Sequence, residues 1–244
     1  MRRTIRVYAI NPVLQGVQSW GDVHRALLEP ITSPDVEITL ADLADAPIKE
    51  IHSEYDGQLV ALLHLKEAVK AERAGYDAVA MFCLDEPGVA AAREALTIPV
   101  TSDAQAAMHY ASCLGRRFSF VLGGPGPESG KWAEGLGTLE DLAKKYGFAS
   151  KLASIRTFPA SPLDFAAQKE GLAESMLRQA KKAVEEDSAD VIIGYGGIDI
   201  IRHLQEQLDV PVISPIQASV MLAIALARLN LAQSKRAYPK PSTV

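Results

Sequence analysis

The stretch AVAMFCLDEPGVAAAREALTIPV, residues 78–100, decides the fold. An apolar run (78–82) ends at Cys83, a Pro-Gly pair makes a turn, a helical pattern covers 86–96, and a second β-branched run follows at 98–101. Strand, turn, helix and strand in so few residues is a βαβ crossover, which requires a parallel sheet covered on both faces.

The same alternation runs outward in both directions. Further strands are predicted over 4–10, 36–40, 118–123, 151–155, 190–194 and 210–214. Helices are predicted over 57–74, 103–114, 130–146, 165–187, 198–208 and 216–232. Eight strands interleaved with helices make an α/β protein.

The chain also repeats itself. At an offset of 112, PVTSDAQA (99–106) falls on PVISPIQA (211–218) without a gap, and Cys83 falls on Tyr195. With one more residue of offset, Pro12 of INP meets Pro125 of GGP. The expected architecture is two similar lobes related by a pseudo-two-fold axis, each with a mostly parallel sheet flanked by helices. Their boundaries are expected at 1–115 and 116–232, with the C-terminal helix able to pack back onto the first lobe and 233–244 a flexible tail. Ligands of such sheets bind beyond the carboxyl ends of the strands, here in a cleft between lobes.

Composition narrows the function. The 244 residues carry a net charge of −5, with 48% hydrophobic and 23% charged residues. No basic stripe invites nucleic acid. The apolar segment near 220–232 is short and interrupted by Arg228, so no membrane span is expected. Cys83 and Cys113 offer neither a disulfide framework nor a zinc pattern, and the chain reads as cytoplasmic. No metal or cofactor is called for. The apolar segment 216–232 raises a homo-oligomer as an expectation.

Cys83 has two readings, catalytic thiol or small apolar filler. As a catalyst it gains from its place before a helix, whose N-terminal dipole is expected to lower the thiol from about 8.5 toward about 7. Tyr195, in GYGG, can donate a hydrogen bond but is a poor base at a pKa of about 10. The backbone of Gly194, Gly196 and Gly197 around it, Asn11 of INP, and Gly123 and Gly124 of LGGP could hold a polar substrate group. Leu84 and Asp85 beside Cys83, and Ser214 at the end of its strand, complete the candidate site. GGPGPESGK is not a phosphate loop, because Pro125 and Trp132 stand where glycine and a hydroxyl residue belong. His52, His64 and His109 read as solvated or capped, and Cys113 as core.

FCLDEPGVAAARE followed by IPVTSDAQAAMHYA, and VIIGYGGIDII followed by VPVISPIQASVMLAIAL, resemble the aspartate/glutamate racemase superfamily, in its hydantoin and allantoin racemase branch. The resemblance implies a cofactor-independent enzyme with a small anionic carboxylate or cyclic ureide between its lobes. It also implies one cysteine on each face of a carbon acid. Cys83 matches the first of these cysteines, whereas the second falls on Tyr195. That substitution favours single-thiol chemistry, a lyase or hydrolase that decarboxylates its substrate or desulfurates a thiohydantoin. Racemisation by Cys83 and Tyr195 is the alternative, and a non-catalytic binding protein a further one.

Overall fold

The computed structural model describes residues 3–124 and 136–242. Its chain forms two compact units. Unit 1 comprises residues 1–21, 28–103 and 219–244, and unit 2 residues 22–27 and 104–218.

Unit 1 holds a four-stranded, all-parallel sheet of order β2-β1-β3-β4: β1 Ile5–Ile10, β2 Val36–Ala41, β3 Ala78–Met81 and β4 Val100–Ser102. All four residues of β3 are buried. A continuous apolar run is what an interior parallel strand covered on both faces demands. Helix α2, Glu54–Arg73, packs its small buried positions Ala68 and Ala71 into the same core as Val79, Met81 and Val100. Ser53 caps it by accepting the Asp56 N–H.

Unit 2 repeats the order with β5 Phe118–Gly124, β6 Leu152–Pro159, β7 Val191–Gly194 and β8 Val212–Ile213, arranged β6-β5-β7-β8 and again all parallel. Helices α5 Leu136–Lys145, α6 Pro162–Ala166, α7 Leu172–Glu185 and α8 Ile198–Gln207 belong to it. The expected helix over 165–187 divides into α6 and α7, because Gly171 takes a left-handed φ of 80° ahead of Leu172. Helices α1 Gly16–Leu28, α4 Asp103–Leu114 and α9 Pro215–Arg228 each pass from one unit into the other along the chain. Helix α1 is not among the helices expected from the sequence. Its signal is Trp20, Val23, His24 and Leu27, buried positions at helical spacing diluted by Gly16 and Gly21.

The unit boundaries therefore differ from a simple cut at 115/116. Residues 233–242, expected as a flexible tail, make specific hydrogen bonds within unit 1. Gln233 gives its side-chain amide to the Val100 carbonyl and takes the Val100 N–H, both at 2.9 Å, imitating a further strand on β4. An edge strand leaves such groups unpaired, and this side chain satisfies them. Helix α3, Val89–Ala95, ends under the Lys235 ammonium, which bonds the carbonyls of Arg93 at 2.7 Å, Glu94 at 3.0 Å and Leu96.

Candidate active site

Strand order places the candidates. In unit 1 the chain leaves β1 for β2 on one side and returns to β3 on the other, so the switch point lies at the carboxyl ends of β1 and β3. Asn11 follows β1 and Cys83 follows β3, and the Phe82 N–H donates to the Ile10 carbonyl at 3.0 Å there. Unit 2 has its switch point between β5 and β7, where Gly123 and Gly124 end one strand and Tyr195 follows the other. Ser214 follows β8 and accepts the Gln217 N–H at 3.5 Å, at the start of α9.

The ladders refine the internal repeat. Met81 pairs with Ile10, and Gly194 pairs with Val121. By ladder position Tyr195 is thus the counterpart of Phe82, and Cys83 lies one residue further along. Cys83 also departs in conformation, with φ at 117°. A non-glycine residue held there stores about 1–3 kcal/mol of backbone strain, which surrounding structure must enforce.

Three acids surround the thiol. The Cys83 N–H donates to Asp103 Oδ2 at 2.9 Å. Asp103 is fully buried, it also accepts from the Ser219 hydroxyl, and its Oδ1 has no hydrogen-bond partner. Glu86 accepts from Ser102 Oγ at 2.6 Å, and Ser102 in turn accepts from the buried Arg93 guanidinium at 3.2 Å. The Asp85 N–H bonds the Cys83 sulfur. His64 of α2 lies beneath, its Nδ1 3.0 Å from the Pro87 carbonyl. Burial pushes this imidazole down to about 4, so it is neutral.

The expected lowering of the Cys83 pKa is therefore overturned. The thiol is pushed well above its ordinary range, first by burial, then by the negative charges of Asp85, Asp103 and Glu86, with the Asp85 N–H opposing them. Helix α3 starts only at Val89, too far along the chain for its dipole to act at Cys83, because such effects fade within one turn.

The acids feel one another as well. Burial raises Asp103 to about 7, with Glu86 adding to it and the bonds from Cys83 and Ser219 opposing. Burial, then Glu54 and Glu86, raises Asp85 to about 6. In the unfolded chain both ionise near their usual value of about 4. Between these values the folded state holds more protons, so the stability contributed by the two groups is full below about pH 4 and declines as pH rises through about 7. Urea midpoints should fall from mildly acidic to mildly alkaline pH, and Asp103→Asn should flatten that slope. An unchanged slope in the variant would contradict the burial assigned to Asp103.

Three of the candidate glycines, Gly123, Gly124 and Gly196, are closely packed. A methyl group at Gly123 would come 2.6 Å from the Phe165 ring and 2.7 Å from the Ala160 carbonyl oxygen, and one at Gly124 would come 3.1 Å from Thr157. One at Gly196 would come 3.2 Å from Ile200. None of Gly194, Gly196 and Gly197 needs a positive φ. Asn11 is nearly buried, with the chain at Gly16 against its side chain. Leu84 and Asp85 form the turn that follows Cys83. His64 is buried rather than solvated, and Cys113 is exposed rather than core. Pro125 and Trp132 lie outside the described residues.

Sequence reading missed Asp103, Ser219, Ser102 and Arg93. One signal for Asp103 stood in the repeat itself, where PVTSDAQA has aspartate and PVISPIQA has Pro215. Among the described residues, no group of His, Cys, Asp and Glu is placed to hold a metal ion. No helix among them is long and apolar enough to cross a membrane.

Comparison with known proteins agrees with this architecture. Residues 21–223 match the family model described as Asp/Glu/Hydantoin racemase. A hydantoin racemase of Pseudomonas sp. (strain NS671) is 32% identical over 240 residues, covering 97% of this chain and 92% of that protein. Allantoin racemase from Klebsiella pneumoniae superposes with a TM-score of 0.86 at 27% identity, covering 98% of this chain and 94% of that one. A variant of arylmalonate decarboxylase, at 17% identity and a TM-score of 0.65 over 92% of this chain and 93% of that one, shares the fold alone. With its repeated parallel sheets and matches of this length, the chain belongs to the Asp/Glu/hydantoin racemase family, in the hydantoin and allantoin branch.

Proposed function

We propose that this protein racemises a hydantoin-type cyclic ureide at its ring stereocentre. The observation that carries the reading is Cys83 at the switch point of the first sheet, held in a strained backbone by a buried carboxylate. Strain of this kind persists where function requires a side chain to be presented in one way. Lyase or hydrolase chemistry has only the Tyr195 substitution in its favour. Relatives whose matches cover 97% of this chain are named hydantoin racemases, and the decarboxylase is similar only in fold.

On this reading the Cys83 thiolate takes the proton from the ring carbon, whose acidity comes from the adjacent carbonyl. The planar enolate that results receives a proton on its other face from the Tyr195 hydroxyl, which regains one from solvent while the Cys83 thiol releases the abstracted proton to solvent. The acids beside Cys83 select within the expected class of small substrates. A carboxylate brought within about 4 Å of one of them meets a repulsion of about 4 kcal/mol at a near-surface dielectric. A neutral ring avoids it, so cyclic ureides are favoured over amino-dicarboxylates.

A single enantiomer of a 5-substituted hydantoin, incubated in D₂O, should lose optical rotation while each turned-over molecule gains one deuterium. Aspartate and glutamate should remain unchanged. Tyr195→Phe should lower the rate by about 10²–10⁴-fold, the usual worth of a general acid. Release of carbon dioxide from a malonate, or of sulfide from a thiohydantoin, without racemisation of the hydantoin would overturn this reading.

A further inference from the structure

We propose that Asp103 is a positioning residue for Cys83: its buried carboxyl fixes the peptide that presents the thiol, and its charge governs how readily the thiol gives up its proton. The activity arm of this inference rests on the racemase reading above, whereas the chemical arm does not.

The geometry is a short buried chain. Thr101 Oγ1 donates to the Ser219 carbonyl at 3.0 Å and lies 3.3 Å from Ser219 Oγ. The Ser219 hydroxyl bonds the Asp103 carboxyl, and Asp103 Oδ2 accepts the Cys83 N–H. Thr101, Ser219 and Asp103 are all at most 1% exposed. The bond to Cys83 is the contact that ties this chain to a residue at φ 117°. Without an acceptor, that N–H would have to find another partner, and the backbone could relax from its strained state.

Charge supplies the second role. Asp103 is spent on one backbone donor and one hydroxyl while Oδ1 has no partner, an expensive arrangement for a carboxyl whose only task is to cap a turn. The groups facing it are mostly acidic. Asp85 and Glu86 come from the Cys83 loop, with Glu54 of α2 acting on Asp85. Neutral His64 of α2 holds Pro87, and Arg93 of α3 reaches the cluster through Ser102 and Glu86. The bonds to Asp103 come from the Cys83 N–H and the Ser219 hydroxyl, both uncharged donors, and ionised Asp103 holds the Cys83 proton in place. In the second repeat Pro215 occupies this position and can supply neither effect.

Two variants separate the roles, both made in a Cys113→Ser background so that the exposed second thiol does not react. Asp103→Asn keeps an oxygen acceptor and removes the charge, whereas Asp103→Ala removes both. The rate of Cys83 carbamidomethylation by iodoacetamide, followed by peptide mass from neutral to alkaline pH, needs no substrate. In Asp103→Asn this profile should move to lower pH by about one unit or more. In Asp103→Ala kcat for hydantoin racemisation should fall by roughly 10²-fold with KM little changed, as expected for a misplaced catalytic group. Asp103→Asn should recover most of that loss, with an activity profile shifted to lower pH.

An alkylation profile identical to that of the unmodified protein in Asp103→Asn would overturn the electrostatic role. Equal kcat in Asp103→Ala and the unmodified protein would overturn the positioning role. Should Asp103→Ala fail to fold, the Asp103→Asn alkylation profile decides by itself, because a merely structural carboxyl would leave it unmoved. Should no hydantoin be racemised, the functional reading fails while the alkylation result still judges Asp103.

Discussion

On the proposed racemase reading, Cys83→Ala is expected to abolish racemisation, by about 10³-fold or more, with the folded structure intact. The substitution removes one sulfur atom and leaves the N–H that Asp103 holds at 2.9 Å. A general base contributes about 10²–10⁴-fold, and its loss from the reacting carbon leaves only binding and the opposite-face donor. Cys83→Gly gives a second reading of the same site. Glycine adopts φ near 117° without the penalty a Cβ imposes, so Cys83→Gly should unfold about 1 kcal/mol less readily than Cys83→Ala while being equally inactive. Chemical denaturation of the two variants, beside polarimetric rates, tests both statements. Substantial activity in Cys83→Ala would remove the thiol from the mechanism. A less stable Cys83→Gly would show that the left-handed backbone is not strained.

Gly88→Ala is the largest stability effect expected from a change of one methyl group. Gly88 precedes α3 with φ at 79°, and an added methyl would lie 2.5 Å from the Ala61 carbonyl oxygen of α2. The left-handed backbone costs a non-glycine residue about 1–2 kcal/mol. The overlap is with main chain, which cannot rotate away, and overpacking of that kind adds about 1–3 kcal/mol. A loss of roughly 2–5 kcal/mol is expected, along with disturbance of the turn that carries Cys83. Gly57→Ala provides the control. Gly57 lies inside α2 with nothing within 4 Å of an added methyl, so the change should be neutral or stabilise by up to about 1 kcal/mol. Thermal melts of the two variants should move in opposite directions. Equal melting temperatures would mean that Gly88 is tolerant and that the Ala61 contact yields.

Much of this architecture follows from local pattern. Strands β1, β2, β3, β5 and β7 read to within one residue at each end, and 103–114 matches α4 at both ends, because a buried parallel strand and an amphipathic helix each leave a trace in the apolar pattern. The repeat in PVTSDAQA and PVISPIQA anticipated two sheets of one order. Where pattern was diluted, the reading failed. The glycines of α1 masked its apolar face, and the polar composition of 233–242 concealed Gln233 on β4 and Lys235 on α3. Polarity predicts exposure only when no unpaired backbone group waits for a polar side chain.

Cys83 itself could be found in the sequence, since a thiol just after a buried strand and before a Pro-Gly turn stands at a sheet's carboxyl edge. What surrounds it could not. Asp103 is twenty residues away and meets Cys83 only because β4 lies beside β3, while Ser219 comes from beyond the whole second sheet. Strand order is a choice made by tertiary packing, and it decides which charges share a buried space. By itself the sequence determined a duplicated parallel α/β fold with a cysteine at the end of an interior strand. Only the tertiary structure decided that burial and three carboxyls would hold the proton on that cysteine, because the energy of a charge depends on its neighbours in space and on the water it has lost.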